Sequence, residues 1–206
     1  MPSNPNSIVA RILSTNHRLF LESHLKKDLK KFRGVALVLG AGHDPYRHLL
    51  QETSKIITND IDETLPNIDL LSTADQLDLE DSSVDAIVAI EVLEHVPDVE
   101  KVLRECQRVL TTGGKIYIAM PAMYHIHGDP DDYRRLTKSG LRQTLGDNYN
   151  IEVAKYYDNL FTVILDSLSS CHPIASVLRP LFRLGLLLSY TSNKFPSGVI
   201  VIARKK

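Results

Sequence analysis

Gly40-Ala41-Gly42 and Asp60 are spaced as a ligand-binding turn and its acidic partner would be. Glycines at 40 and 42 let the backbone turn sharply and bring its amide groups close to a ligand. An acidic residue about 20 positions later is placed to accept hydrogen bonds from ribose hydroxyls, charge-assisted contacts worth roughly 1.5–3 kcal/mol each. Pro45 stands where a dinucleotide fingerprint needs a third glycine for close helix packing beneath a pyrophosphate. An adenosine-bearing cofactor without phosphates therefore fits better than a nicotinamide dinucleotide. The neighbouring Asp62 is expected to face solvent. A second group, His95, His125, His127 and Tyr133, offers imidazoles and a phenol for general-base work near neutral pH. His125 and His127 share a loop with Asp129, Asp131 and Asp132, but that spacing defines no metal set, and no metal ligand is assigned.

Such residues need elements that bring them to one edge. Apolar positions Leu19, Phe20, Leu25, Leu29 and Phe32 recur at helical spacing and predict a surface helix over His17 to Phe32, ended by Gly34. Val35 to Leu39 is a short continuous apolar run, the mark of a strand buried on both faces, and it leads straight into the glycine turn. Further strands are expected at Lys55 to Asn59, weakly at Ile68 to Leu71, at Asp85 to Ile90, at Lys115 to Ala119, near Ile151 to Tyr156 and at Gly198 to Ala203. The second connection is short enough to be a turn around Pro66 rather than a helix. After Pro97, Asp98 caps a helix whose buried face is Val99, Val102, Leu103, Cys106, Val109 and Leu110, and Thr111-Thr112-Gly113-Gly114 ends it. Another helix is expected over Lys138 to Leu145. Strands alternating with helices predict an α/β fold, a mainly parallel sheet with helices on both faces, whose ligands bind outside the carboxyl ends of the strands.

The bulk properties set bounds on partners. The chain has 206 residues, 43% hydrophobic and 24% charged, with a formal net charge of -1. That suits one ordinary domain and gives no electrostatic reason to expect nucleic acid. Nor is there an Asn/Asp-Pro-Pro-aromatic motif for a base amino group. Cys106 and Cys171 lack metal-ligand spacing and fit a reducing cytosol. Residues 1–16 read as a flexible tail without secretory features, and 17–206 as a single domain with a helical, apolar insertion over about 159–196. Within Leu160 to Tyr190, charged residues and prolines, among them Asp166, Pro173, Arg179, Pro180 and Arg183, leave no run near the ~18–20 residues of a membrane span. The insertion suits a cap over the sheet or a homodimer contact; its arginines among bulky apolar residues also suit peripheral contact with a membrane or a lipid-linked acceptor.

Residues Val35 to about Leu145 resemble the class I S-adenosylmethionine-dependent methyltransferases, in the branch called the type 11 methyltransferase domain. Leu39-Gly40-Ala41-Gly42 is similar to that family's first motif and Asn59-Asp60-Ile61-Asp62 to its ribose motif. The longest block runs from Ala74 to Asp85, through Glu91-Val92-Leu93-Glu94-His95-Val96-Pro97, to Arg108-Val109-Leu110 and Gly113-Gly114. The resemblance implies a Rossmann-like seven-stranded sheet with its last strand antiparallel. It implies S-adenosyl-L-methionine as cofactor, held by Gly40, Ala41, Gly42, Asp60 and Ile61, with Thr73 and Ala74 at the adenine and Glu91 bordering the methionine part. Val38 and Thr73 stand where members usually or often have acidic residues, and Thr112 replaces a common proline; Asp75 is placed to compensate for Thr73. The segment His127 to Thr137 looks like an acceptor-side element of some bacterial members, which makes His127 and Tyr133 substrate-facing candidates; His125, in the same loop after the fifth strand, and His95 are the other candidates. The expected activity is methyl transfer to a small-molecule, lipid or saccharide acceptor. The departures at Val38 and Thr73 keep a non-catalytic cofactor-binding or interaction module as the alternative, and a nucleotide-dependent oxidoreductase is the reading Pro45 disfavours.

Overall fold

A computed structural model describes residues 15–44, 46–127, 131–170 and 194–206. Pro45, Asp129, Cys171 and most of the expected insertion lie outside the described residues. Strands β1 (Gly34–Leu39), β2 (Thr53–Asp60), β3 (Leu70–Leu71), β4 (Val84–Ile90), β5 (Leu110–Pro121), β6 (Tyr149–Tyr157) and β7 (Gly198–Lys205) form one seven-stranded sheet in the order β3-β2-β1-β4-β5-β7-β6. β1 pairs parallel to both β2 and β4, and β4 parallel to β5, whereas β7 runs antiparallel to β5 and β6. The last strand is therefore the antiparallel one, as expected. Strand order reverses between β1 and β4, and a crevice opens there at the carboxyl ends of the strands.

Alternation along the strands divides the core into two layers. Leu37, Leu39, Ile87, Ile116 and Val201 face one side, where they meet helix α2 (Val99–Val109) and helix α3 (Lys138–Leu145) through Val102, Leu103, Cys106, Leu141 and Leu145. Ala36, Val38, Val88, Tyr117 and Ile200 face the other, against Leu21, Leu25 and Leu29 of helix α1 (Asn16–Asp28) and the turn after it. Asp98 caps α2 by accepting from the Lys101 amide at 2.8 Å, and Thr137 caps α3 from Gly140 at 3.1 Å.

Several boundaries differ from the pattern in the sequence. Helix α1 stops at Asp28, followed by a short 3-10 turn over Leu29–Lys31; Gly34 is the first residue of β1, not the end of the helix. Its buried face includes Asn16, His17 and Asp28, polar residues that apolar periodicity cannot register. Asp166 of helix α4 (Leu160–Ser170) explains the first two: its carboxylate accepts from the amides of Asn16 and His17 at 2.9 and 2.8 Å, placing negative charge at the positive end of α1, while Asp28 accepts from Lys155 at 2.8 Å. Leu110 opens β5 instead of closing α2, and residues 111–114 form a bulge where the pairing jumps from Val84↔Leu110 to Ala86↔Lys115. The second connection, residues 61–69, contains no helix. No helix of the described residues is long and apolar enough to cross a membrane.

Candidate functional site

The glycine turn follows β1 and folds back onto the end of β2. Gly40 has a φ of 54°, and a side chain there would come within 2.6 Å of Val92, so only glycine leaves this wall of the crevice open. The Ala41 amide donates to the Asn59 carbonyl at 2.9 Å, and the Gly42 amide donates to the Asp60 carboxylate at 2.8 Å. The other Asp60 oxygen accepts from the amides of Ile61 and Asp62. Asp60 thus pins the turn in place while its carboxylate still lines the crevice, with acceptor capacity left on the oxygen that holds Gly42.

The crevice is a cavity of about 550 Å³ bordered by Gly40, Asp60, Ile61, Thr73, Ala74, Asp75, Glu91, His95 and Tyr133, among others. This is the size range of a small-molecule or cofactor site. Ala41 and Gly42 border a separate cavity of about 280 Å³ with Arg18, His43 and Tyr46. Asp62 is exposed and turns to Thr64, as expected of a solvent-facing acid. Asp75 pairs with Lys101 at 2.7 Å, and that ammonium, with the Thr73 hydroxyl, holds its carboxyl below the usual range.

Glu91 follows β4 with a φ of 54°, a left-handed backbone that is costly for a residue with a side chain and held by the hydrogen bond its amide donates to the Ala119 carbonyl. Its carboxylate meets His17 Nε2 at 3.2 Å and the Tyr157 hydroxyl at 3.4 Å. His17 Nδ1 in turn contacts Ser197 Oγ at 2.9 Å. This buried chain of polar groups escapes sequence reasoning because its members come from α1, β4, β6 and the approach to β7, each without a local motif.

Glu94, His95 and Tyr133 meet where the short 3-10 turn Leu93–His95 is crossed by the loop after β5. The Tyr133 amide donates to the Glu94 carbonyl at 2.8 Å. His95 and His127 stand edge-to-face with ring centres 5.3 Å apart. Glu94 is fully buried, neither carboxylate oxygen has a hydrogen-bond partner, and burial with the nearby Glu91 charge pushes its carboxyl up to about 9. His125 sits apart from the crevice lining, stacked on Tyr124 at 4.2 Å, with its imidazole pushed below the ordinary value by burial. Of the four substrate-facing candidates, His95 and Tyr133 border the crevice, His127 packs behind His95, and His125 faces the His17 side. Glu94 lies inside the sequence block yet was not among the candidates, because its burial arises from a loop more than thirty residues away.

A family model described as a methyltransferase domain matches residues 37–118, which span β1 to the body of β5 and include the glycine turn, Asp60 and Glu91. That match covers less than half of the 206-residue chain, and solved methyltransferases share its fold. A ubiquinone biosynthesis O-methyltransferase of Xanthomonas oryzae pv. oryzae is 46% identical over 37 residues, a match that spans 18% of this chain and only 16% of that protein. An S-adenosylmethionine dependent methyltransferase from Mesorhizobium loti superposes with a TM-score of 0.59 at 16% identity, covering 89% of this chain and 96% of the other. The [4+2]-cyclase SpnF superposes with a TM-score of 0.62, also at 16% identity, covering 92% of this chain and 80% of the other. A methyltransferase and a cyclase thus share this fold, and the reaction has to be argued from the site.

Proposed function

We propose that the chain transfers a methyl group from S-adenosylmethionine to a small-molecule, lipid or saccharide acceptor. The observation that carries the reading is the place of Asp60: a carboxylate anchored to the glycine turn by the Gly42 amide and bordering a cavity of about 550 Å³ at the switch point of the sheet. The cavity and its open wall at Gly40 fit an adenosine-sized group. Asp60 would accept from ribose hydroxyls, Thr73 and Ala74 would border the adenine, and Glu91 would border the methionine end. The cofactor supplies an electrophilic methyl on a sulfonium whose sulfur departs neutral. The protein's work is then alignment and exclusion of water, with no obligatory acid. His95 and Tyr133, on the crevice rim, are the residues proposed to face the acceptor. The O-methyltransferase relative supports an oxygen acceptor within that range. Peripheral membrane or dimer contact through residues 160–190 belongs to the same proposal; Phe161, Ile164 and Leu168 of α4 are exposed apolar side chains.

Calorimetry with S-adenosylmethionine and S-adenosylhomocysteine tests the reading. Saturable binding by the wild-type chain is expected, weakened about tenfold or more in Asp60→Ala through lost ribose contacts and a loosened glycine turn. Unchanged affinity in that variant would remove Asp60 from the site.

A further inference from the structure

The side chains of Glu94, His95 and His127 converge at the wall of the crevice. One donor atom from each lies within 4.8 Å of the others. His95 Nε2 is 3.7 Å and His127 Nε2 is 3.9 Å from the same Glu94 oxygen. Donors around a tetrahedral first-row ion with bonds near 2.0–2.1 Å stand roughly 3.3 Å apart, so an ion would draw the two Glu94 edges in by about half an ångström and close the edge between the imidazoles, which lie within 4.8 Å of each other. The remaining ring nitrogens are already occupied. His95 Nδ1 lies 2.6 Å from the Asp131 carbonyl, while His127 Nδ1 is 3.3 Å from the His125 carbonyl and 3.7 Å from the Asp132 carboxylate. A carbonyl or carboxylate at Nδ1 keeps the proton there and leaves Nε2 as a lone-pair donor, the arrangement that supports metal-ligating imidazoles. Asp132 is itself fixed by Arg135, and it accepts from the His127 amide at 3.0 Å.

Glu94 supplies the independent indication. A fully buried carboxyl group with both oxygens unpartnered is costly, and two imidazole nitrogens facing it at just under 4 Å are too far for hydrogen bonds but suitably placed to share an ion. We propose that Glu94, His95 and His127 form a binding site for a divalent first-row transition ion. Two imidazoles and one carboxylate suit zinc, iron, cobalt or manganese better than calcium or magnesium, which favour all-oxygen sets. Three protein ligands leave coordination positions open, and His95 also lines the crevice, so the ion would sit at the crevice wall. The site stands on its own donors and does not depend on the methyl-transfer reading.

The test uses the full chain, stripped with a chelator and titrated with Co²⁺ and Zn²⁺, following Co²⁺ absorbance and binding heat. The proposal predicts one saturable equivalent, with affinity reduced about tenfold or more in both Glu94→Gln and His127→Ala and unchanged in His43→Ala, which alters a histidine outside the cluster. Circular dichroism checks the fold of each variant; His127 is partly exposed, so His127→Ala reads the site even if Glu94→Gln fails to fold. Absence of saturable binding by the wild-type chain, or equal affinity in wild type and His127→Ala, would overturn the proposal. Binding of S-adenosylhomocysteine by the same metal-free samples is measured separately, so either reading can fail without the other.

Discussion

Asp60 and His17 are single residues that each tie several segments together. The Asp60 carboxylate accepts from three backbone amides, those of Gly42, Ile61 and Asp62, so its removal frees a loop as well as the proposed ribose contact. His17 joins Ser197, Tyr157 and Glu91 in a nearly closed pocket. His17→Ala should leave these partners unsatisfied and lower stability by about 1–3 kcal/mol, read from denaturant unfolding; a loss below about 0.5 kcal/mol would show that water replaces the ring at little cost. Cys106 is fully buried in the α2 layer, and burial pushes its thiol up to about 12. It should resist alkylation in the folded chain and react on denaturation, as peptide mapping would show. Asp60 was legible in the sequence because it ends a short apolar run at a fixed distance from two glycines. His17 was not, because its meaning comes from partners 74 to 180 residues away.

At the scale of elements, the long sequence block from Ala74 to Gly114 acquires a mechanical explanation. Arg108 on α2 donates to the carbonyls of Leu77 and Leu79 and to the carboxylates of Asp81 and Glu105, while Glu105 accepts from the Leu77 amide. The pair clamps the loop that carries Thr73 to Asp75 into the crevice onto the helix behind it. Arg108→Ala should cost about 2 kcal/mol of stability and also weaken cofactor binding, since the released loop borders the crevice. Hydrogen bonds from Arg108 hold the Glu105 carboxyl below its ordinary value. A depressed carboxyl contributes stability above its unfolded pKa, near 4.3, that is lost as pH falls through the folded value. The stability gap between wild type and Arg108→Ala should therefore narrow on acidification below about pH 4, measured by denaturant melts across pH; a gap that widens would contradict the clamp. Helix α2 was legible from its i, i+3, i+4 apolar positions. The start of β5 was not, because Leu110 continues that periodicity while its backbone has already joined β4 across a four-residue bulge.

For the whole molecule, continuous apolar runs at β1, β4 and β5 carried most of the architecture, since a strand buried on both faces has no other composition. The antiparallel β7 was expected from family resemblance rather than from local pattern, as strand direction leaves no mark on composition. Likewise the crevice could be placed at the carboxyl ends of the strands, but the meeting of the turn after β4 with the loop after β5, which buries Glu94 between two histidines, depends on tertiary packing alone. The crevice at the switch point is proposed to hold S-adenosylmethionine through Asp60. Isothermal titration of the folded chain with S-adenosylhomocysteine is the decisive measurement: saturable one-to-one binding is expected, falling about tenfold or more in Asp60→Ala, and a folded wild-type chain that takes up none would overturn the assignment.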